Sequence, residues 1–87
     1  MQTEMTTPKL SRLFRLQWEE AQQAYVLLYP EGLVRLNPSA AEILQRCDGK
    51  RDVAGIVHEL ETAFQTGGLE ADVRAFLGEA QQRGWLV

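Results

Sequence analysis

Polar and apolar residues alternate from Phe14 to Trp18, with Phe14, Leu16 and Trp18 on one side and Arg15 and Gln17 on the other. That period of two predicts a strand with one covered face. A polar stretch, residues 19–23, reads as a turn or loop. Tyr25-Val26-Leu27-Leu28-Tyr29 follows, apolar on both sides, rich in aromatic and branched residues, and too short for a free-standing helix; it predicts a second strand. In Pro30-Glu31-Gly32 the proline presets φ at the first corner of a turn and the glycine accepts the geometry after it, so Leu33-Val34-Arg35-Leu36 returns as a third strand.

From Asn37 the apolar period lengthens to that of helices. Asn37-Pro38-Ser39 has the chemistry of a helix start, Ser39 and Glu42 have capping-box spacing, and Ala40, Ile43, Leu44 and Cys47 share one face before Asp48-Gly49 stops the run. Asp52 is placed to cap a second helix with its stripe at Val53, Ile56, Val57, Leu60 and Phe64, ended by Gly67-Gly68. A third stripe runs through Leu69, Val73, Phe76, Leu77 and Ala80, with Gly84 as C-terminal cap and Trp85-Leu86-Val87 as an apolar tail. Residues 1–10 show no periodicity and read as a flexible tail, which leaves 11–87 as a single domain. The expected class is α+β: a three-stranded antiparallel sheet followed by three helices.

An isolated hairpin is marginal in water, so this sheet must lean on the helices or on another molecule. The second strand, apolar on both sides, implies that its second face is also covered, by the tail, a partner subunit or a bound peptide. The sheet edges carry unpaired N–H and C=O groups of the kind that accept an added strand.

Composition narrows the chemistry. With 87 residues, 45% of them hydrophobic and 24% charged, the chain is an ordinary globular domain, and its net charge of −3 offers no general attraction to nucleic acid or anionic lipid. One cysteine, Cys47, excludes an internal disulfide and suits a reducing, cytoplasmic setting; together with the lone His58 it cannot make a four-ligand zinc site. The start of the chain lacks the features of a secretory signal, and no apolar run is long enough to span a membrane. His58-Glu59 begins like a metalloprotease motif, but the position four residues on is Thr62. Cys47 has no base nearby in sequence and reads as core. The acidic residues fall at helix starts, polar faces or loops, and the glycines are scattered, so no catalytic pair, metal site, cofactor site or phosphate loop is expected.

Several segments together resemble the PqqD family of pyrroloquinoline quinone (PQQ) biosynthesis: Phe14-Arg15-Leu16-Gln17-Trp18-Glu19, Leu27-Leu28-Tyr29-Pro30-Glu31-Gly32, Leu36-Asn37, Glu42-Ile43-Leu44, Cys47-Asp48-Gly49, Asp72-Val73, Phe76-Leu77 and Gly84-Trp85-Leu86. The resemblance spans about residues 8 to 87, and Pro38 departs from it at the first helix start. It implies a winged-helix-like domain without catalysis of its own, a peptide chaperone that binds the precursor peptide PqqA and presents it to the radical SAM enzyme PqqE. Related domains capture a leader peptide as an extra strand between the third strand and the third helix. Carried onto this chain, the peptide site is Leu33, Val34, Arg35 and Leu36 on one side and Val73, Phe76, Leu77 and Ala80 on the other.

Two other readings stand beside it. A winged-helix DNA-binding protein needs a basic recognition helix, whereas the third helix carries Glu70, Asp72 and Glu79 against Arg74 and Arg83. A structural dimerisation module is favoured if the two-faced strand pairs with its own copy, and the sequence leaves monomer and homodimer open.

Overall fold

A computed structural model describes residues 6–87. Its elements are β1 (Arg15–Glu19), β2 (Ala24–Tyr29), β3 (Gly32–Arg35), α1 (Pro38–Gln45), α2 (Val53–Phe64) and α3 (Glu70–Gln82). The sheet is antiparallel in the order β1-β2-β3. The α+β class and element order are those the periodicity predicts; the likeness to a winged helix is loose and lies in the combination of a small sheet with three helices.

The register places Leu16, Leu27 and Val34 side by side on one sheet face. Leu27 is fully buried there and joins a core with Leu36, Ala40, Ile43 and Leu44 beside α1, Ile56 and Leu60 of α2, and Leu77 of α3. On the other face Leu28 lies between Arg15 and Leu33, and Val26 between Gln17 and Arg35. Val26 is enclosed although it stands outside the main core, while the residues flanking it are exposed. The second face expected to need a cover thus presents exposed arginine, glutamine and leucine side chains.

Helix ends follow local chemistry. Asn37 caps α1, its Oδ1 accepting from the Ala40 N–H at 2.8 Å, so the acceptor is Asn37 rather than the Ser39 and Glu42 capping box. Asp52 caps α2 in the same manner, accepting from the Gly55 N–H at 2.7 Å. The stop of α2 falls earlier than Gly67-Gly68. Gln65 takes the left-handed conformation at φ 52°, with Thr66 N–H on the Glu61 carbonyl and Gln65 N–H on that of Thr62, the paired bonds of a Schellman motif. Gly84, at φ 82°, ends α3 with the same two bonds, Trp85 N–H to Ala80 and Gly84 N–H to Gln81.

The first turn of α3 is held from a distance. Leu69 offers no capping side chain, and its N–H donates instead to Glu61 Oε2 of α2 at 3.0 Å. Between α1 and α2, Arg46 grips both Glu42 and Glu59, and Arg51 grips Glu59 and Asp48. The Lys50 N–H, more than the Arg51 charge, lowers the pKa of Asp48. Surface pairs of this kind add little stability singly; as a chain they order the connection between two helices.

Residues 8–10, expected within a flexible tail, are instead joined to the domain. Pro8 is fully buried, its carbonyl accepts from Gly49 N–H, and Lys9 accepts from Val87 N–H. Ser11 N–H donates to Trp85, and Leu10 pairs with Leu86. Gly49 at φ 80° permits this approach, since a Cβ there would stand 3.1 Å from the Lys9 side chain. Short patterns at chain ends carry no periodicity, which is why the pairing escapes a sequence reading. Residues 1–5 of that tail lie outside the described residues. No helix among the described residues is long and apolar enough to cross a membrane.

Two substitutions test these local readings. Gln65→Gly should stabilise the protein by about 0.5–1 kcal/mol, because glycine enters the left-handed region without the Cβ penalty; urea unfolding that shows a loss would contradict it. Gly32 has φ 154°, and a Cβ there would meet only the Tyr29 hydroxyl at 3.9 Å. Gly32→Val should therefore cost about 1–3 kcal/mol through the backbone alone, more than Glu31→Ala, and equal melting temperatures for the two variants would refute the turn geometry.

Candidate functional site

β3 pairs only with β2, so its outer side is a free edge. The Leu36 N–H donates to the Tyr25 carbonyl at 3.0 Å. Because backbone groups in an antiparallel pair alternate in direction, positions 32, 34 and 36 point to β2, and the N–H and C=O groups of Leu33 and Arg35 point outward. β2 has no free position of this kind: residues 25, 27 and 29 bond towards β3, and 24, 26 and 28 towards β1.

Beside the β3 edge runs a groove of 510 Å³ whose far wall is α3. Val34, Leu36, Ile43, Phe76 and Ala80 make its apolar surface, Asn37, Ser39 and Asp72 stand towards the α1 end, and Arg83 and Trp85 towards the α3 terminus. Of the eight residues expected here, Val34, Arg35, Leu36, Phe76 and Ala80 line the groove. Leu33 does not; its backbone faces the edge, but its side chain, 49% exposed, lies on the opposite sheet face beside Leu28. Val73 and Leu77 are 3% and 1% exposed. Leu77 is core, and Val73 floors a neighbouring cavity. A helical stripe identifies the apolar side of α3 without separating its middle, which faces the core, from its margin, which faces the groove. The sequence pattern sets Trp85 in an apolar tail and Ile43 on a core stripe; only the fold brings them to this site.

That second cavity, 350 Å³, lies between α1, the end of α2 and the start of α3. Ser39, Ile43 and Asp72 border both spaces, so the two are neighbours. Leu60, Phe64 and Leu69 complete its apolar wall.

The cations along α3 and at its C-terminal cap are paired with its own carboxylates. Arg74 pairs with Glu70, and Arg83 with Glu79, while the Arg83 guanidinium sits 5.7 Å above the Trp85 ring. Arg35 has no ion-pair partner among the described residues. Cys47 sits past the end of α1 and away from the groove, buried, with its Sγ directed at the Ile43 carbonyl at 3.3 Å. Burial, with Asp48 adding to it, pushes its thiol pKa up to about 12, so it stays protonated and unreactive at neutral pH. His58 is exposed on α2. No group of three metal-binding side chains comes together among the described residues. The arrangement offers an extended backbone edge beside an apolar trough, which suits it to holding a chain.

Comparison with known proteins fits this geometry. The family described as "Coenzyme PQQ synthesis protein D (PqqD)" matches residues 24–86. A PqqA binding protein of Methylococcus capsulatus is 51% identical over 81 residues, covering 93% of this chain and 87% of its own. The PqqA binding protein of Azotobacter vinelandii is 52% identical over 80 residues, covering 91% and 87%. Among solved structures, the solution NMR structure of the PqqD truncation of Methylobacterium extorquens PqqCD superposes with a TM-score of 0.72 at 32% identity, covering 92% of this chain and 87% of that one. It is described as a functional and stand-alone recognition element for ribosomally synthesised and post-translationally modified peptides. With the family match running from the central strand to the apolar C-terminus, and about half of the aligned residues shared with the two PqqA binding proteins, this chain belongs to the PqqD family.

Proposed function

We propose that this chain is the peptide chaperone of PQQ biosynthesis, binding the precursor PqqA as a fourth strand beside β3 and presenting it to the radical SAM enzyme PqqE. The observation that carries the reading is the open edge of β3, whose outward Leu33 and Arg35 groups face a groove walled by α3. β1 also has an outer edge, but the helical wall stands beside β3. The relatives named as PqqA binding proteins supply the peptide.

Main-chain pairing recognises an extended segment, and the apolar trough selects among side chains at alternate positions. Binding orders a flexible peptide, at an entropic cost the groove contacts must exceed. The enzyme then meets its substrate already extended. The chemistry belongs to that enzyme: an iron–sulfur cluster needs several cysteine ligands, and this chain has one cysteine. The work is assigned to the cytoplasm, where a lone thiol stays reduced.

The rival readings have less support. A DNA-recognition helix needs cations free for phosphates, and both arginines of α3 are paired with carboxylates of the same helix. A dimerisation module would use the outer sheet face, where Leu33 is 49% exposed; a concentration-independent monomer mass by light scattering would dismiss it.

Arg35→Pro removes one outward N–H and spares the ladder to β2. The variant should stay folded, and calorimetric titration with PqqA should show affinity reduced roughly tenfold or more, the value of one lost hydrogen bond plus strain. Val34→Pro breaks a bond to β2 and should lower stability, while proline at Val26 or Leu28 should unfold the domain. Undiminished affinity in Arg35→Pro would remove the peptide from this edge. PqqE should modify PqqA far faster with the chain present than without it; equal rates would dismiss presentation.

A further inference from the structure

Strand pairing along β3 cannot run on indefinitely. Beyond Arg35 the chain turns into α1, which opens with Pro38, a residue with no N–H to give. A peptide following the edge therefore loses its partner strand at this point, yet the apolar surface does not end there. Ser39, Ile43 and Asp72 are shared between the groove and the second cavity, which lies beside it. Ser39 and Asp72 are exposed at that junction, and Asp72 has no ion-pair partner among the described residues. Both offer acceptors to backbone N–H groups that have just lost their strand partners.

An independent observation comes from α2. Its apolar stripe is Val53, Ile56, Val57, Leu60 and Phe64; the first four are buried, and Phe64 is left 53% exposed at the cavity wall. The helix runs one turn past the surface that covers it. Resting on the reading of β3 as the PqqA-binding edge, we infer that this cavity is an anchor pocket for a large apolar side chain of the same peptide, of the leucine, methionine or phenylalanine kind, lying just beyond the strand-paired segment. The site is then bipartite: an edge that reads backbone, and a pocket between three helices that reads one side chain and sets the register.

The occupant follows from adjacency. A chain already held on β3 has only the three shared residues to cross before it meets the pocket, and the floor of Ile43, Leu60 and Val73 gives a polar group no partner.

The test uses the full chain and synthetic PqqA. Phe64→Ala trims a half-exposed side chain at a helix end, and Ser39→Trp crowds the border that the two spaces share; circular dichroism checks that both stay folded. Each should weaken PqqA binding roughly tenfold, as loss of an anchor contact does. Alanine replacement of each apolar residue of PqqA in turn should find one position whose loss matches that of Phe64→Ala and is not added to it when both are combined, the coupling expected of groups in contact. Wild-type affinity in both variants, or additive losses at every peptide position, would overturn the pocket while leaving the β3 reading to stand on Arg35→Pro. No effect in Arg35→Pro together with a loss in Phe64→Ala would instead remove the strand and with it the bipartite site. A dimer that Phe64→Ala dissociates would assign the cavity to a second copy and overturn the proposal, as would failure of PqqA to bind the unmodified chain.

Discussion

Three strands have two faces and two edges, and three short helices can cover only part of that. In this fold they cover one face, and the residue at the centre of the contact is Leu27, fully enclosed in the middle of the central strand. Truncating a side chain so placed costs about 2–5 kcal/mol, a large share of the roughly 4–13 kcal/mol available to a domain of this length. Once Leu27 and its neighbours are docked, β2 is satisfied on both sides and β3 is left with one. The unpaired edge is thus a consequence of how the core closes.

The groove beside that edge is shaped largely from its two ends. α3 is secured near its start by the Leu69 N–H on Glu61 and past its end by Ser11 on Trp85 and Leu10 beside Leu86. Between these two fixings Phe76 and Ala80 are presented to β3. Holding a wall at its ends fixes the separation without placing polar fastenings inside an apolar trough, where unsatisfied groups would be costly.

The sequence made the periodic parts legible. The change from period two to period 3.6 at Asn37 located both halves of the fold, and Asn37, Asp52 and Gly84 announced their helix ends through side-chain or backbone chemistry. What stayed hidden depended on distance or on non-consensus residues. Gln65 ends α2 in a conformation that glycine or asparagine would have advertised. Glu61 caps a helix eight residues away. For the site, the order of residues placed β3 and α3 together only through family resemblance. The division of α3 into core and groove, and of β3 into two faces, required the register.

The clamp of residues 9–11 against 85–87 brings the entrance and exit of the fold to one place, near the Trp85 end of the groove. In modular terms the domain is a cartridge with a single socket. The solved relative was itself cut from a longer chain, PqqCD. A protein joined through a short flexible linker at either terminus is held close to whatever the groove carries, at an effective concentration of the order of millimolar. A covalent joint of this kind acts through proximity alone, without altering a residue of the groove.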